Sequence, residues 1–571
     1  MTTLNEEQQA AVDSDAPRRL VAASPGSGKT RLLVAAVARE AKEHGASGCV
    51  VLTFTNASAL VMQQRLEEMG VTGIGFIGTI HSFLYRCLTE HHFGQTFSIV
   101  DNDAREAIVE SVMADLGVKG SLDKMIKHID EDAPMPKSGK VSKIDCVALE
   151  YELRLQSSNL VDFKGILSKG ARAVELLHAA GRWSYNFLAI DEAQDCSQTD
   201  WNFIATAPFE RSLIVGDGDQ CIYQQLRGAK PEYFVKLAEA AVHPKIAPEN
   251  RYELFLLQDN YRSGPNICGV AQVLIQHNKN RVDKQTISAR TDIQGTVTVH
   301  RCETPAAELS YVLETLHHEA VYNLREPKDC AVLCRTNRAA KEFATHLAAN
   351  GVPVATVEQP RRPSDWKRAK LLLTVLANPW NDMAVESFMR ACCDDRMVNA
   401  YKTEAAKKLC GLNEAQGFPF GKGDASIDVD LAKHGLSPES RELIHAAARE
   451  LSRRGEWSIN ELVLFLGQQD SMARTVGEGV TVCTGHASKG REFDVVFLPG
   501  IEEGTLPSAK DLTTPEATEE SRRLLFVMLT RAKSRLVLTW SASRPEYRGE
   551  ALPPGPLRER QRSRFLTEAG I

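Results

Sequence analysis

The stretch Ser24-Pro25-Gly26-Ser27-Gly28-Lys29-Thr30 combines two glycines, a lysine and hydroxyls at the spacing of a phosphate cradle. Gly26 and Gly28 let backbone amides, that of Ser27 among them, converge on phosphate oxygens without a side-chain clash. Lys29 can reach the β- and γ-phosphates, and the Thr30 hydroxyl can bind magnesium. The strict form of the pattern wants glycine where Ala23 stands, which changes the letter of the motif more than its physics. Far downstream, Asp191-Glu192-Ala193-Gln194-Asp195 sets two adjacent carboxylates directly after an apolar run. Alone, such a pair could equally cap a helix. Coupled to the Lys29 loop, Asp191 is expected to hold the magnesium and Glu192 to orient or deprotonate an attacking water, the two halves of a nucleoside triphosphatase.

The flanking sequence supplies the elements such a site needs. Arg19 to Ala23 reads as a central strand, and Arg31 to Glu40 as a helix with Leu32, Leu33, Ala36 and Val37 at helical spacing, whose N-terminus adds partial positive charge beneath the cradle. Further strands are expected at Cys49 to Phe54, Ile74 to Ile77, Phe187 to Ile190 and Ser212 to Val215, with a helix carrying Leu60, Val61 and Leu66. Strands alternating with helices argue a parallel sheet covered on both faces, with ligands outside the strand ends. A second α/β unit is expected from strands at Thr296 to Val299, Cys330 to Cys334, Val480 to Cys483, Val495 to Leu498 and Arg535 to Thr539. Helical patterns interrupt both units, at Asp103 to Met113, Ser121 to Ile129, Cys146 to Leu155 and Ala171 to Ala179 in the first, and at Lys367 to Asn378 and about Asp382 to Gln468 in the second.

The motifs, taken in order, resemble those of the superfamily 1A DNA helicases of the UvrD/PcrA/Rep group. Leu4 to Val12 resembles the family's adenine-reading segment, which gives that contact to Gln8. Thr53-Phe54-Thr55-Asn56 and Gly78-Thr79-Ile80-His81-Ser82-Phe83 match two DNA-contact segments. Gly216 to Tyr223 matches the segment coupling ATP to DNA, where Gln220 would sense the γ-phosphate, and Asp259-Asn260-Tyr261-Arg262-Ser263 gives Tyr261 to the adenine and Arg262 to the γ-phosphate. His486 to Phe493 supplies a ribose-contacting Glu492, and Glu519 to Ala532 a finger arginine, Arg531. The resemblance implies ATP and Mg2+ as cofactors and 3′-to-5′ movement on single-stranded DNA that drives duplex unwinding.

It also implies an α/β fold of two RecA-like P-loop NTPase cores, each interrupted by a mainly helical insertion. The expected domains are 1–94 with 181–257 (first core), 95–180 (its insertion), 258–380 with 475–571 (second core) and 381–474 (a shortened insertion). Phe54, Thr55, His81, Tyr223, Arg335, Asn337 and His486 are the candidate DNA-side residues, any of which could instead be a packed aromatic or a loop cap.

Two departures bear on function. Gln224-Gln225-Leu226 replaces the short aromatic-bearing link that usually follows the tyrosine, leaving Tyr223 as the nearby ring, and Ala57 stands where the family has a lysine. The shortened insertion and the missing aromatic make a single-strand-dependent ATPase or translocase with weak unwinding a second reading. A helicase-like subunit regulating a partner nuclease is a third. Single-stranded DNA and ss/ds junctions are the expected partners.

Composition frames these readings. At about 150 residues per domain, 571 residues with 43% hydrophobic and 25% charged content exclude a small disulfide module, a fibrous repeat and a disordered chain. The net charge of −6 means that attraction to a polyanion must be local. No stretch has the roughly 20 apolar residues of a membrane span. The thirteen cysteines lack paired metal-site spacing, so ordinary thiols in a cytosolic protein are expected.

Overall fold

Six strands build the first sheet, in the order Phe76–Thr79, Cys49–Thr53, Phe187–Ile190, Arg211–Gly216, Arg18–Ala23 and Glu253–Leu257. The order explains how distant motifs meet. Arg18–Ala23, which leads into the phosphate cradle, pairs in parallel with Arg211–Gly216, and that strand pairs in parallel with Phe187–Ile190, which leads into Asp191. The loops after three neighbouring strands therefore emerge at one sheet edge. Continuous apolar runs such as Cys49–Thr53 are buried along their whole length, as expected of strands covered on both faces.

These features belong to a computed structural model that describes residues 4–92, 97–130, 142–224, 228–243, 251–358, 363–377, 436–452, 459–469, 474–545 and 555–571. The chain divides into two units. One comprises Met1–Gly78, Ser184–Gln359 and Ala473–Ile571, and the other Thr79–Trp183 and Pro360–Met472.

The first unit holds both large sheets. Its second sheet has seven strands, in the order Thr296–Cys302, Ala532–Ser541, Phe493–Leu498, Cys330–Cys334, Val480–Thr484, Val354–Glu358 and Arg474–Val476. All its pairings are parallel except the last. Cys330–Cys334 shows how the sheet is sandwiched: Ala331 and Leu333 join a cluster with Phe526 and Leu536, while Cys330, Val332 and Cys334 join another with Phe497 and Val537. The side chains alternate between faces because the strand period is two. In the first sheet, the helix Lys29–His44 is tied down by Glu40, which pairs with both Arg19 and Arg211.

The second unit is mainly helical. Ile80–His91 packs along Phe163–Ala179, and the helices Asn102–Asp115, Leu122–Asp130 and Lys143–Ser157 complete its N-terminal part. Two short parallel strands, Ser98–Val100 and Leu160–Asp162, cross it. Lys370 Nζ lies 2.7 Å from Asp101 Oδ2, fastening the Trp366–Ala377 helix beside the first of them.

The fold is thus two α/β layers with parallel sheets and helical insertions, as the sequence implies. Several elements lie outside the expectation, among them four strands. The short strands Ser98–Val100 and Leu160–Asp162, the edge strand Glu253–Leu257 and the strand Val354–Glu358 have no counterpart in the sequence reading. The helix Asn56–Glu68 buries Ala59, Met62 and Leu66, whereas Val61 is 43% exposed. The insertion expected over 381–474 lies largely outside the described residues, apart from the helices Pro438–Ser452 and Ile459–Gln469. The link Gln225 to Arg227 also lies outside them. Among the described residues no helix is long and apolar enough to cross a membrane.

Candidate active site

The phosphate cradle is closed from behind by its own chain. Gln8, in the helix Glu6–Asp13, donates from Nε2 to the Ser27 carbonyl at 2.7 Å, and the Ser27 hydroxyl donates to the Ser24 carbonyl at 2.8 Å. Gly28 caps the helix Lys29–His44 in the left-handed region (φ +78°) without any side-chain cap, leaving that helix end for an anion. Gly26 also sits at positive φ, +66°, and a Cβ there would stand 2.8 Å from the Cβ of Arg262. The close approach is enforced by Asn260, whose Nδ2 donates to the Pro25 carbonyl at 2.7 Å, and by the Tyr261 amide, which donates to the Gly26 carbonyl at 3.0 Å. Glycine is required because two backbones meet there.

Lys29, mostly buried, directs Nζ to within 3.5 Å of Glu192 Oε2, and Thr30 follows it in the first helical turn. Glu192 itself adopts φ +54°, a left-handed conformation that costs a non-glycine residue about 1–3 kcal/mol. Its amide donates to Asp191 Oδ1 at 2.9 Å, and its carboxylate accepts from Gln194 Nε2 at 2.5 Å. Burial and the adjacent Glu192 push the Asp191 carboxyl up to about 7. Burial would raise Glu192 as well, but Lys29 and Lys489 hold it down at about 2. An adjacent pair with one strongly ionised member and one shifted upward suits a site that completes its charge with a cation.

The second sheet presents the opposite edge of its strands here. Arg531 and Glu492 precede the strands Ala532–Ser541 and Phe493–Leu498, and the Phe493 amide donates to the Arg531 carbonyl at 2.9 Å. Arg262 donates from Nε to Glu492 Oε2 at 2.8 Å and from Nη1 to the Thr530 carbonyl at 3.2 Å, while Lys533 Nζ sits 3.0 Å from Glu492 Oε1. Arg531 is buried, donating to the Val527 carbonyl (2.9 Å) and to Gln220 Oε1 (3.0 Å). Burial and the nearby Arg262 guanidinium pull its pKa down to about 9, still charged at neutral pH. Tyr261 is 44% exposed, its hydroxyl donating to Asp259 Oδ2 at 3.3 Å.

An aromatic row leaves this cleft. The rings of Phe54 and Tyr223 stack with centroids 6.0 Å apart and planes at 15°, and His486 lies 6.4 Å beyond Tyr223. Burial, then the charge of Arg335, lowers His486 to about 4, so its ring is neutral at physiological pH. Arg335 follows the strand Cys330–Cys334, which pairs with Val480–Thr484, and donates to Asp511 Oδ1 at 3.3 Å. Thr55 and Thr336 cap the helices Asn56–Glu68 and Asn337–Ala349, so Thr55 has a structural task and Asn337 begins a helix. His81 belongs to the helical unit, its ring edge-on to Phe163 at 5.7 Å.

One residue absent from the sequence-based site joins cleft and row. Lys489 donates to Asp195 Oδ2 and to the Gln220 carbonyl (3.0 Å), and its Nζ lies 5.0 Å above the Tyr223 ring. Burial would lower its pKa, but Asp195 and Glu192 hold it well above the ordinary lysine value. Gln194 bridges Glu192 and the Asp217 amide, a role that its place in the sequence does not mark.

Comparison with known proteins agrees with this geometry. The family model described as UvrD/REP helicase N-terminal domain matches residues 4–241, and the UvrD-like helicase C-terminal domain matches 255–396 and 442–543. ATP-dependent DNA helicase PcrA of Leuconostoc citreum is 25% identical, covering 99% of this chain and 84% of that protein. A probable DNA helicase II homolog of Rickettsia felis is 26% identical over 99% and 95%. DNA helicase II of Escherichia coli is 25% identical over 96% and 85%. With both halves matched in order and the cradle, carboxylate pair and paired arginines gathered in one cleft, the chain belongs to the UvrD/PcrA/Rep-like family of superfamily 1 helicases.

Proposed function

We propose that this chain is a magnesium-dependent, DNA-stimulated ATPase that moves 3′ to 5′ along single-stranded DNA and unwinds duplex at ss/ds junctions. The observation that carries the reading is the continuity of two sites through Lys489, which bonds Asp195 and Gln220 on the nucleotide side and covers the Tyr223 ring on the other. A change at the γ-phosphate would be felt where bases stack. The direction of movement rests on family membership.

In this reading Lys29 and the amides around Gly26, Ser27 and Gly28 receive the phosphates of ATP, Gln8 and Tyr261 meet the adenine, and Glu492 meets the ribose. Glu192 orients the attacking water. The uncapped helix end and the paired carboxylates fit a metal–phosphate group, and Mg2+ held by Thr30 and Asp191 would neutralise charge developing on the phosphates. Arg531 now donates to a neutral carboxamide, and Arg262 to a carboxylate and a carbonyl. Turning both toward the γ-phosphate makes charge-assisted bonds available only when the cleft is closed, so hydrolysis reports on the position of the two sheets. We assign the two α/β halves, 1–94 with 181–257 and 258–380 with 475–571, as the motor cores, and 95–180 and 381–474 as their insertions. Phe54, Tyr223 and His486 form the base-stacking row, with Thr55, His81, Arg335 and Asn337 as further DNA contacts.

The test is ATP turnover with and without single-stranded DNA, followed by strand separation on duplexes carrying a 3′ or a 5′ single-stranded tail. Stimulated turnover with preference for the 3′ tail is expected. Preference for the 5′ tail would refute the direction. A specific observation favours a second reading, a translocase that unwinds weakly. The alignment with the Leuconostoc protein runs over 662 positions against 571 residues here, so segments of that helicase have no counterpart in this chain. Stimulated turnover without unwinding from either tail would select it.

A further inference from the structure

A second buried link joins the two halves of the cleft, at residues 281–286. Lys284 Nζ lies 2.9 Å from Asp217 Oδ1 and 2.5 Å from Asp219 Oδ2, with all three side chains no more than 2% exposed. Arg281 forks Asp219 through Nε and Nη2 at 3.1 and 2.9 Å. Two carboxylates from the loop after Arg211–Gly216 are thus balanced by two cations from the segment between the Pro265–Ile275 helix and Ile287–Ser288. The same segment touches the phosphate cradle, where the Gln285 carbonyl accepts the Ser24 hydroxyl at 2.8 Å.

Burying four charges is a poor way to gain stability alone, because desolvation offsets most of the attraction. Their arrangement fixes something more specific. Asp217 Oδ2 accepts from Gln220 Nε2 at 2.6 Å, while the Asp217 amide donates to Gln194 Oε1 at 2.8 Å, and Gln194 reaches Glu192. A carboxamide turns over a broad torsional range. Pinned at nitrogen by Asp217, that of Gln220 must present its oxygen to Arg531, 3.0 Å away.

We propose that Lys284, supported by Arg281, is a positioning residue for ATP hydrolysis: it anchors Asp217 so that the Gln220 carboxamide is aimed at the γ-phosphate and Arg531. Lys284 comes from the second half of the chain and Asp217 from the first, so the anchor reports cleft closure to Gln220 separately from Arg531 and Lys489. The inference rests on the reading of Gln220 and Arg531 given above.

The test compares Lys284→Met, Gln220→Ala and the double variant in DNA-stimulated ATP turnover, with binding of a fluorescent ATP analogue measured alongside. Lys284→Met keeps the stem and removes the charge. It is expected to lower kcat about tenfold or more while KM for ATP stays within about threefold, the signature of an interaction made in the transition state. In the Gln220→Ala background the same change should add less than about twofold, because its effect passes through Gln220. Wild-type kcat in Lys284→Met beside a slowed Gln220→Ala overturns the proposal alone, as does a full additional loss in the double variant. A Gln220→Ala protein with wild-type turnover overturns the reading of the site itself. Should Lys284→Met fail to fold, Lys284→Met combined with Asp219→Asn removes one charge of each sign and is judged by the same outcomes.

Discussion

At the scale of single residues, the proposed reading separates gripping the nucleotide from cleaving it. Lys29 stands in the cradle, while Glu192 is held by Gln194 and by the Asp191 carboxylate at its amide. Lys29→Ala should therefore lose ATP affinity. Glu192→Gln, which keeps the shape and removes the charge, should bind ATP and lose turnover by about 10²–10⁴-fold. Equal loss of ATP binding in both would contradict the division of labour. His486 supplies a pH prediction. Burial, Arg335 and Lys489 lower its pKa to about 4 from an ordinary 6.5, against a raising effect of Asp511. Between those values the unfolded chain binds more protons at this position than the folded one. Stability contributed here is present above pH 6.5 and is lost as pH falls toward 4. Melting temperatures at pH 7 and pH 5 should accordingly fall less in His486→Gln than in the wild type, and an identical fall would show that His486 titrates normally.

At the scale of elements, the strand–turn–helix around the cradle is set by one contact. Gly26→Ala would place a methyl 2.8 Å from the Cβ of Arg262, at φ +66°. It should weaken ATP binding by at least about tenfold, and by more than it lowers the melting temperature of the nucleotide-free protein; a variant with intact ATP affinity would mean the contact is slack. The cradle motif itself was legible in the sequence because its glycines, Lys29 and Thr30 lie within five residues, as were the adjacent carboxylates after Phe187–Ile190. Lys284, Lys489 and the bond between Gln220 and Arg531 were not, since their partners are 65, 294 and 311 residues away and no periodicity records such pairings. Strands of three residues, Ser98–Val100 and Leu160–Asp162, are too short for alternation to show. Glu253–Leu257, at the edge of its sheet beside Arg18–Ala23, is a short apolar run without alternation, which does not by itself separate a strand from a buried helix.

At the scale of the whole molecule, a net charge of −6 and a pI of 6.2 mean that attraction to DNA must come from local sites rather than from the chain's overall charge, and in the proposed reading base stacking is one of these. In the proposed reading the row of Phe54, Tyr223 and His486 supplies the stacking rings, and Tyr223 is the member that Lys489 links to Asp195 and Gln220. A stacked base is worth about 1–3 kcal/mol, so Tyr223→Ala should weaken binding of a short single-stranded oligonucleotide by about tenfold or more, while Tyr223→Phe, which keeps the ring, should not. Phosphate contacts are untouched by the change, so the slope of log Kd against log salt should be the same in both variants. The alanine variant should also consume more ATP per nucleotide travelled, because Lys489 would retain Asp195 and Gln220 but lose the ring through which their rearrangement is passed on. If Tyr223 only fills space, Tyr223→Ala would instead lower the melting temperature and leave the folded fraction with wild-type affinity and wild-type ATP consumption per step.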